Sequence, residues 1–243
     1  MKNVIIIQAR MGSKRLPGKV LRPLGDSIVL DYVVNRCKQV KKVSDVIVAT
    51  STLKQDDPIV HWCKQNNTSY FRGSETDVLS RYYLCAREVG ADNVIRVTAD
   101  CPFIDFHLAS EIVDTMCQAN QNTDYVNVIG DLPRGLIVEM FSYRSIKYIY
   151  EKGIEPRHRE HVTYYAYEYS EEFRAINYYV THRLNFPKLR ITLDTEEDYK
   201  LCKEIANHFD NEQLVSSIDV VNFLLENTKI ANINAHIEQK PVI

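Results

Sequence analysis

Val4-Ile5-Ile6-Ile7-Gln8-Ala9-Arg10-Met11-Gly12-Ser13-Lys14-Arg15-Leu16-Pro17-Gly18-Lys19 is the stretch that decides the fold. Its first part is a short apolar run rich in β-branched side chains, which predicts a buried strand over residues 4–8. Its second part packs four cations (Arg10, Lys14, Arg15 and Lys19) and two glycines into the loop leaving that strand. In an open α/β sheet, the carboxyl end of a parallel strand is where ligands bind. Glycine lets backbone N–H groups come close to an anion, and the cations neutralise phosphate oxygens. The loop therefore predicts a polyphosphate ligand. It is not a Walker loop, because Val20 follows Lys19 where Ser or Thr would stand, and G-x-G-x-x-G is also absent.

Outward from this loop the chain alternates short apolar runs with helical periods. Ser27 is placed to cap a helix carrying Ile28, Tyr32, Val33, Arg36 and Cys37. Strands are expected at 45–50, 69–71 and 93–98. Helices are expected from Asp57-Pro58, over 77–88 and over 105–119, with Pro suited to a first turn. This alternation predicts right-handed βαβ units and an α/β fold whose mostly parallel sheet is flanked by helices. After residue 120 the rhythm changes. Strands are expected at 125–129 and 136–141 around the turn Asp131-Leu132-Pro133-Arg134-Gly135, and a helix then a strand within 156–185. That last segment is dense in Tyr (164, 165, 167, 169, 178 and 179), which suits either a core or a protein–protein contact. A strand at 189–193 and helices at 195–209 and 217–226 complete one domain over 1–243, with an α+β acceptor and dimerisation subregion at about 125–185.

Composition narrows the function. Lys plus Arg is 30 against 32 for Asp plus Glu, a net charge of −2 over 243 residues, which argues against a protein that coats nucleic acid. No apolar run reaches the roughly 18–20 residues of a membrane span, and the start lacks the pattern of a signal peptide. The six cysteines lie at least 16 positions apart, so no C-x-x-C metal or redox motif exists. Reduced thiols in a cytoplasmic protein are expected.

Asp100 follows the strand at 93–98, and Asp194 follows the one at 189–193, so both belong at the sheet edge that carries the loop. Each is suited to cap the next helix. Together, beside a polyphosphate, they are also the oxygen ligands that magnesium prefers.

The segment Ala9-Arg10-x-x-Ser13-x-Arg15-Leu16-Pro17-Gly18-Lys19 resembles the nucleotide-binding signature of cytidylyltransferases that make CMP-activated sugar acids. It is most similar to the spore coat polysaccharide biosynthesis (SpsF) group. The likeness runs on through Val48-Ala49-Thr50, Phe71-Arg72-Gly73-Ser74-x-x-Asp77-Val78-Leu79-x-Arg81-Tyr82, Arg96-Val97-Thr98-x-Asp100-Cys101-Pro102-x-Ile104-Asp105, Arg159-Glu160-His161-Val162-Thr163 and Leu193-Asp194-Thr195-x-Glu197-Asp198. The resemblance implies a nucleotide-diphospho-sugar transferase (glycosyltransferase A-like) fold, and CTP plus a sugar acid giving a CMP-sugar and pyrophosphate with Mg2+. It implies catalytic roles for Arg10, Lys19, Asp100 and Asp194, the two carboxylates holding the metal. Nucleotide contacts are implied at Gln8, Ala9, Arg10, Gly12, Ser13, Arg15, Lys19, Arg72, Ser74 and Thr98. Acceptor contacts are expected at Arg134, Glu139, Arg159, His161 and Arg190, since Arg meets a carboxylate in a bidentate fork. The family's habit also implies a homodimer. Two departures stand out. Ala99 replaces the usual Gly before the metal Asp, and the family's P-D-G-x-D-x-E reads Pro133-Arg134-Gly135-Leu136-Ile137-Val138-Glu139. The second change bears on the acceptor and leaves the nucleotide half intact. Two rival readings are a nucleotidylyltransferase for another sugar or phosphate acceptor and a nucleotide-binding relative without turnover.

Overall fold

The computed structural model describes residues 1–238. In chain order it forms β1 (Asn3–Gln8), a small hairpin of β2 (Pro23–Leu24) and β3 (Ser27–Ile28), α1 (Val29–Cys37), β4 (Asp45–Ser51), α2 (Asp57–Gln65), β5 (Ser69–Gly73), α3 (Val78–Glu88), β6 (Asn93–Thr98) and α4 (Phe106–Gln118). There follow β7 (Tyr125–Ile129), β8 (Glu139–Ser142), α5 (Tyr143–Lys152), α6 (Pro156–Glu160), α7 (Tyr164–Glu168), β9 (Ala175–Tyr179), α8 (Glu196–His208), α9 (Ser217–Glu226) and α10 (Thr228–Ala231). Seven strands make one sheet in the order β5-β4-β1-β6-β8-β7-β9, in which only β8 runs against the others.

The two-residue period of β1 divides the core. Ile5 and Ile7 join one buried cluster with side chains of α1, α2, α4, α8 and α9, while Val4 and Ile6 join the other with α3, α5 and α7. All four are 0 % exposed, so the strand is covered on both faces as its apolar run demands. Among the described residues no helix is long and apolar enough to cross a membrane.

Several expectations need correction. Ser27 does not cap α1. It lies in β3, held by the tight turn at Gly25 (φ 57°), and its hydroxyl donates to Asp31, whose carboxylate also accepts the Ile28 N–H. The strand expected at 136–141 begins only at Glu139, and 189–193 forms no ladder strand. The backbone of 134 instead pairs with the later segment through Arg134 N–H to Leu189 O (3.1 Å) and Ile191 N–H to Arg134 O (2.7 Å). Gly135 permits this approach. Its φ is 103°, and a Cβ there would lie 2.6 Å from Ile191 O. The helix expected in 156–185 is two short ones, α6 and α7, and α5 and α10 were not anticipated.

The tyrosines largely face inward. Tyr83 stacks on Tyr143 and Tyr150 at 5.9 and 4.4 Å, and Tyr148, Tyr165, Tyr169 and Phe173 pack around α7. Tyr179 is exposed.

Candidate active site

β1, β4, β5 and β6 are parallel, so their carboxyl ends share one edge of the sheet. Gln8 and Thr98 end β1 and β6 in register, and Ala99 N–H bonds Gln8 O at 2.9 Å. The loop then folds on itself. Gly18 N–H and Ser13 N–H both donate to Met11 O (3.0 and 2.9 Å), and Leu16 N–H donates to Ser13 Oγ (3.3 Å). Gly18 takes φ 68°, the left-handed turn that sends Lys19 back towards the sheet. Asp56, fully buried, anchors the loop by accepting Met11 N–H at 2.7 Å, and is itself held by the Ser51 hydroxyl.

At the centre of the edge, Lys19 Nζ lies 2.8 Å from Asp100 Oδ2 and 2.8 Å from Asp194 Oδ1. The two carboxylates arrive from residues 94 apart because Leu193 N–H and the Thr192 hydroxyl both donate to Asp100 O, at 2.8 and 3.1 Å. Arg15 Nη2 and Arg190 Nη2 approach Asp194 Oδ2 at 3.0 and 3.1 Å. Burial alone would raise the Asp100 carboxyl, but the Lys19 ammonium and hydrogen bonds from Lys19, Thr98 and Cys101 hold it well below the usual carboxylate range. Burial likewise works against the charge on Lys19, and Asp100 and Asp194 overcome it, so the ammonium holds its proton more tightly than usual.

Behind Asp194 stands a support that sequence reading missed. Asp198 is 0 % exposed and accepts Arg190 Nε and Nη2 (2.8 and 3.0 Å), Asn234 Nδ2 (2.8 Å), and the N–H groups of Asp194 and Thr195 (3.0 and 3.1 Å). The only local signal was Thr195-x-x-Asp198, a capping box for α8. Arg190, expected at the acceptor, is buried here between Asp194 and Asp198.

The remaining candidates divide into separate groups. Arg10 Nη1 is 3.4 Å from Glu75 Oε1, beside Gly12. Arg72 is held by Ser51 O (2.8 Å), Leu53 O (3.0 Å) and Asp57 (2.7 Å). Ser74 Oγ accepts Asp77 N–H at 3.0 Å as α3 begins, and Arg159 reaches Asp77 at 3.5 Å. Arg134 is exposed, with burial of its stem and Arg190 lowering its proton affinity while Asp194 and Asp100 act the other way. Glu139 belongs to the opposite face of the sheet. It pairs with Arg96 and accepts the Thr163 and Tyr167 hydroxyls, both at 2.8 Å; burial would raise its carboxyl, but these partners lower it. His161 is half-buried, and burial and the Arg96 charge lower its proton affinity while Glu160 acts the other way.

A phosphate-suited loop over a lysine-bridged carboxylate pair suits nucleotidyl transfer, and the comparisons agree with it. A family model described as cytidylyltransferase matches residues 4–230. An uncharacterized protein of Methanocaldococcus jannaschii is 38% identical over 240 residues, covering 99% of this chain and 97% of its own. The spore coat polysaccharide biosynthesis protein SpsF of Bacillus subtilis is 34% identical over 235 residues, covering 94% and 96%. A solved cytidylyltransferase from Leptospira borgpetersenii superposes with a TM-score of 0.90 at 31% identity, covering 99% and 100%. The sheet order, the loop and the carboxylate pair thus sit in a nucleotide-diphospho-sugar transferase fold, and the chain belongs to the cytidylyltransferase family, a family of nucleotidyltransferases.

Proposed function

We propose that this cytidylyltransferase moves CMP from CTP to a hydroxyl of a sugar acid of the nonulosonic, sialic-acid-like class, releasing pyrophosphate. The observation that carries the reading is the convergence of Lys19, Asp100 and Asp194 beneath a loop of cations. The hydroxyl oxygen attacks the α-phosphorus, the bond to the bridging oxygen of the β-phosphate breaks, and the hydroxyl proton passes to solvent. The chain's contribution is positioning and charge neutralisation. Arg10, Arg15 and Lys19 hold the β- and γ-phosphates and favour the leaving pyrophosphate. Gln8, Ala9, Gly12 and Ser13 line the path of the phosphates, and Arg72, Ser74 and Thr98 border the nucleoside.

The donor set suits Mg2+. Asp100 and Asp194 present hard oxygens to one cation position, which the Lys19 ammonium takes here, and no cluster of three or more His, Cys, Asp or Glu exists among the described residues to make an all-protein cage. Bound by these two carboxylates, Mg2+ would supply Lewis-acid polarisation of the α-phosphate.

On the acceptor side, Arg134 and the half-exposed Ile137 replace two acids of the family pattern beside the segment that leads to Asp194. This change favours a more anionic acceptor than the relatives take. Arg190 acts by holding Asp194, while Glu139, Arg159 and His161 shape the far wall. The likeness to the Bacillus subtilis protein supports a role in cell-surface or spore coat polysaccharide synthesis. The proposed assembly is a cytoplasmic homodimer joined through 143–185, where Ile154, Tyr167 and Tyr179 are exposed. The test is pyrophosphate release with each NTP against a panel of nonulosonic acids and neutral sugars. Release with CTP and an acidic sugar alone is the expected result. Release with neutral sugars only would overturn the acceptor class.

A further inference from the structure

Unpaired polar atoms gather at the carboxyl ends of β1, β4 and β5, next to the loop. Arg81, on the first turns of α3, is 0 % exposed. Its Nη1 donates to Ser74 O at 2.9 Å, but its Nε and Nη2 have no partner. Glu75, the next residue after Ser74, has a buried Oε2 that is equally unpaired. A guanidinium buried with two idle donors is costly, and so is an idle carboxylate oxygen. Fold support does not explain the pair, because the bracing of this corner falls to Arg72, which ties β5 to Ser51, Leu53 and Asp57.

We infer that Arg81 and Glu75 read the base of the nucleotide, Arg81 through Nε and Nη2 and Glu75 through Oε2. This rests on the cytidylyl-transfer reading above. Cytosine offers two neighbouring acceptors, O2 and N3, and one donor, the N4 amino group. Two guanidinium donors and one carboxylate acceptor complement that edge. Uracil reverses the pattern at two positions. Its N3–H faces an Arg81 donor, and its O4 faces the Glu75 carboxylate. A site built to satisfy buried polar groups rejects such a ligand strongly, because those groups stay unpaired.

The arrangement also couples base to phosphate. Glu75 Oε1 lies 3.4 Å from Arg10 Nη1, on the phosphate loop, and both charges act on Arg81, so one carboxylate links the phosphate loop to the neighbourhood of Arg81. Phosphate draws Arg10 to itself and frees Glu75 to turn towards the base.

The test is calorimetric binding of CTP and UTP, with Mg2+, to the full chain and to the variants Glu75→Ala and Arg81→Lys, each with its Tm recorded. The full chain should prefer CTP over UTP by about 100-fold, and each variant should cut that ratio about tenfold, mainly through weaker CTP binding. Glu75 lies in a loop and its truncation leaves the core intact, so that variant keeps the test decisive if Arg81→Lys fails to fold. A ratio unchanged in both variants, with lowered Tm alone, would overturn the inference and make Arg81 and Glu75 a structural pair. Equal binding of CTP and UTP by the full chain would instead overturn the cytidylyl reading and take this one with it.

Discussion

Asp198→Asn removes a charge and an acceptor from the support behind Asp194. The carboxylate receives five donors within 2.8–3.1 Å and is 0 % exposed, so no water can replace what is lost. An amide can offer only one oxygen, and its NH2 must face donors from Arg190, Asp194 or Thr195. Removing one partner of a buried pair costs about 3–5 kcal/mol. For a domain of this size that is roughly 6–20 °C in Tm. Freed from Asp198, Arg190 and the Asp194 backbone lose their fixed positions, so turnover should fall as well. The folded carboxyl is held below its usual range despite burial, by Arg190, Asn234 and the Asp194 N–H. Its contribution is therefore present above the unfolded carboxyl range, near pH 4, and is lost as pH falls through the lower folded value. Urea unfolding should show the full gap between the two proteins at pH 7 and a narrowing gap below about pH 4. A gap under about 1 kcal/mol at pH 7, with normal turnover, would refute the claim that Asp198 holds the site together.

Three further outcomes are expected. Gly135→Ala meets both a positive φ and the Ile191 carbonyl, and thermal unfolding should show a loss of about 2–4 kcal/mol, with turnover reduced through displacement of 189–194. Lys19→Met removes the cation between Asp100 and Asp194. Electron paramagnetic resonance should find Mn2+ binding without nucleotide tightened about tenfold, while pyrophosphate release falls at least about 100-fold. The double change Arg134→Asp with Ile137→Asp should alter relative rates across acceptor sugars and leave the apparent affinity for CTP within about twofold; a shift in CTP affinity alone would place this segment on the nucleotide side.

The parts of the molecule that depend on local pattern could be read from the chain. β1 and its loop, the strands at 45, 69 and 93 and helices α2, α3 and α4 stand within a few residues of their expected bounds, because period, proline and Asp caps are local signals. Ser27 misled because Gly25 and Asp26 close a hairpin before the helix starts. The segments at 136–138 and 189–193 look like strands by composition, yet neither joins the sheet, and the backbone of 189–191 pairs instead with Arg134, some 55 positions away, a choice no local window records. In the site, Asp100 and Asp194 were visible as strand-end acids. Asp198 shows in the sequence only as the end of a capping box, and Asn234, Asp56 and Glu75 leave no local signal, because their roles rest on contacts with residues distant in sequence, such as Asn234 with Arg190.

In the proposed reaction Asp100 and Asp194 together serve the nucleotide at this edge, and this is tested by the affinity of the protein for Mn2+·CTP, read by electron paramagnetic resonance, for the full chain, Asp100→Asn and Asp194→Asn. Each variant should lose at least about tenfold in affinity, with both still folded and CTP binding without metal retained. Unchanged Mn2+·CTP affinity in either folded variant would contradict it.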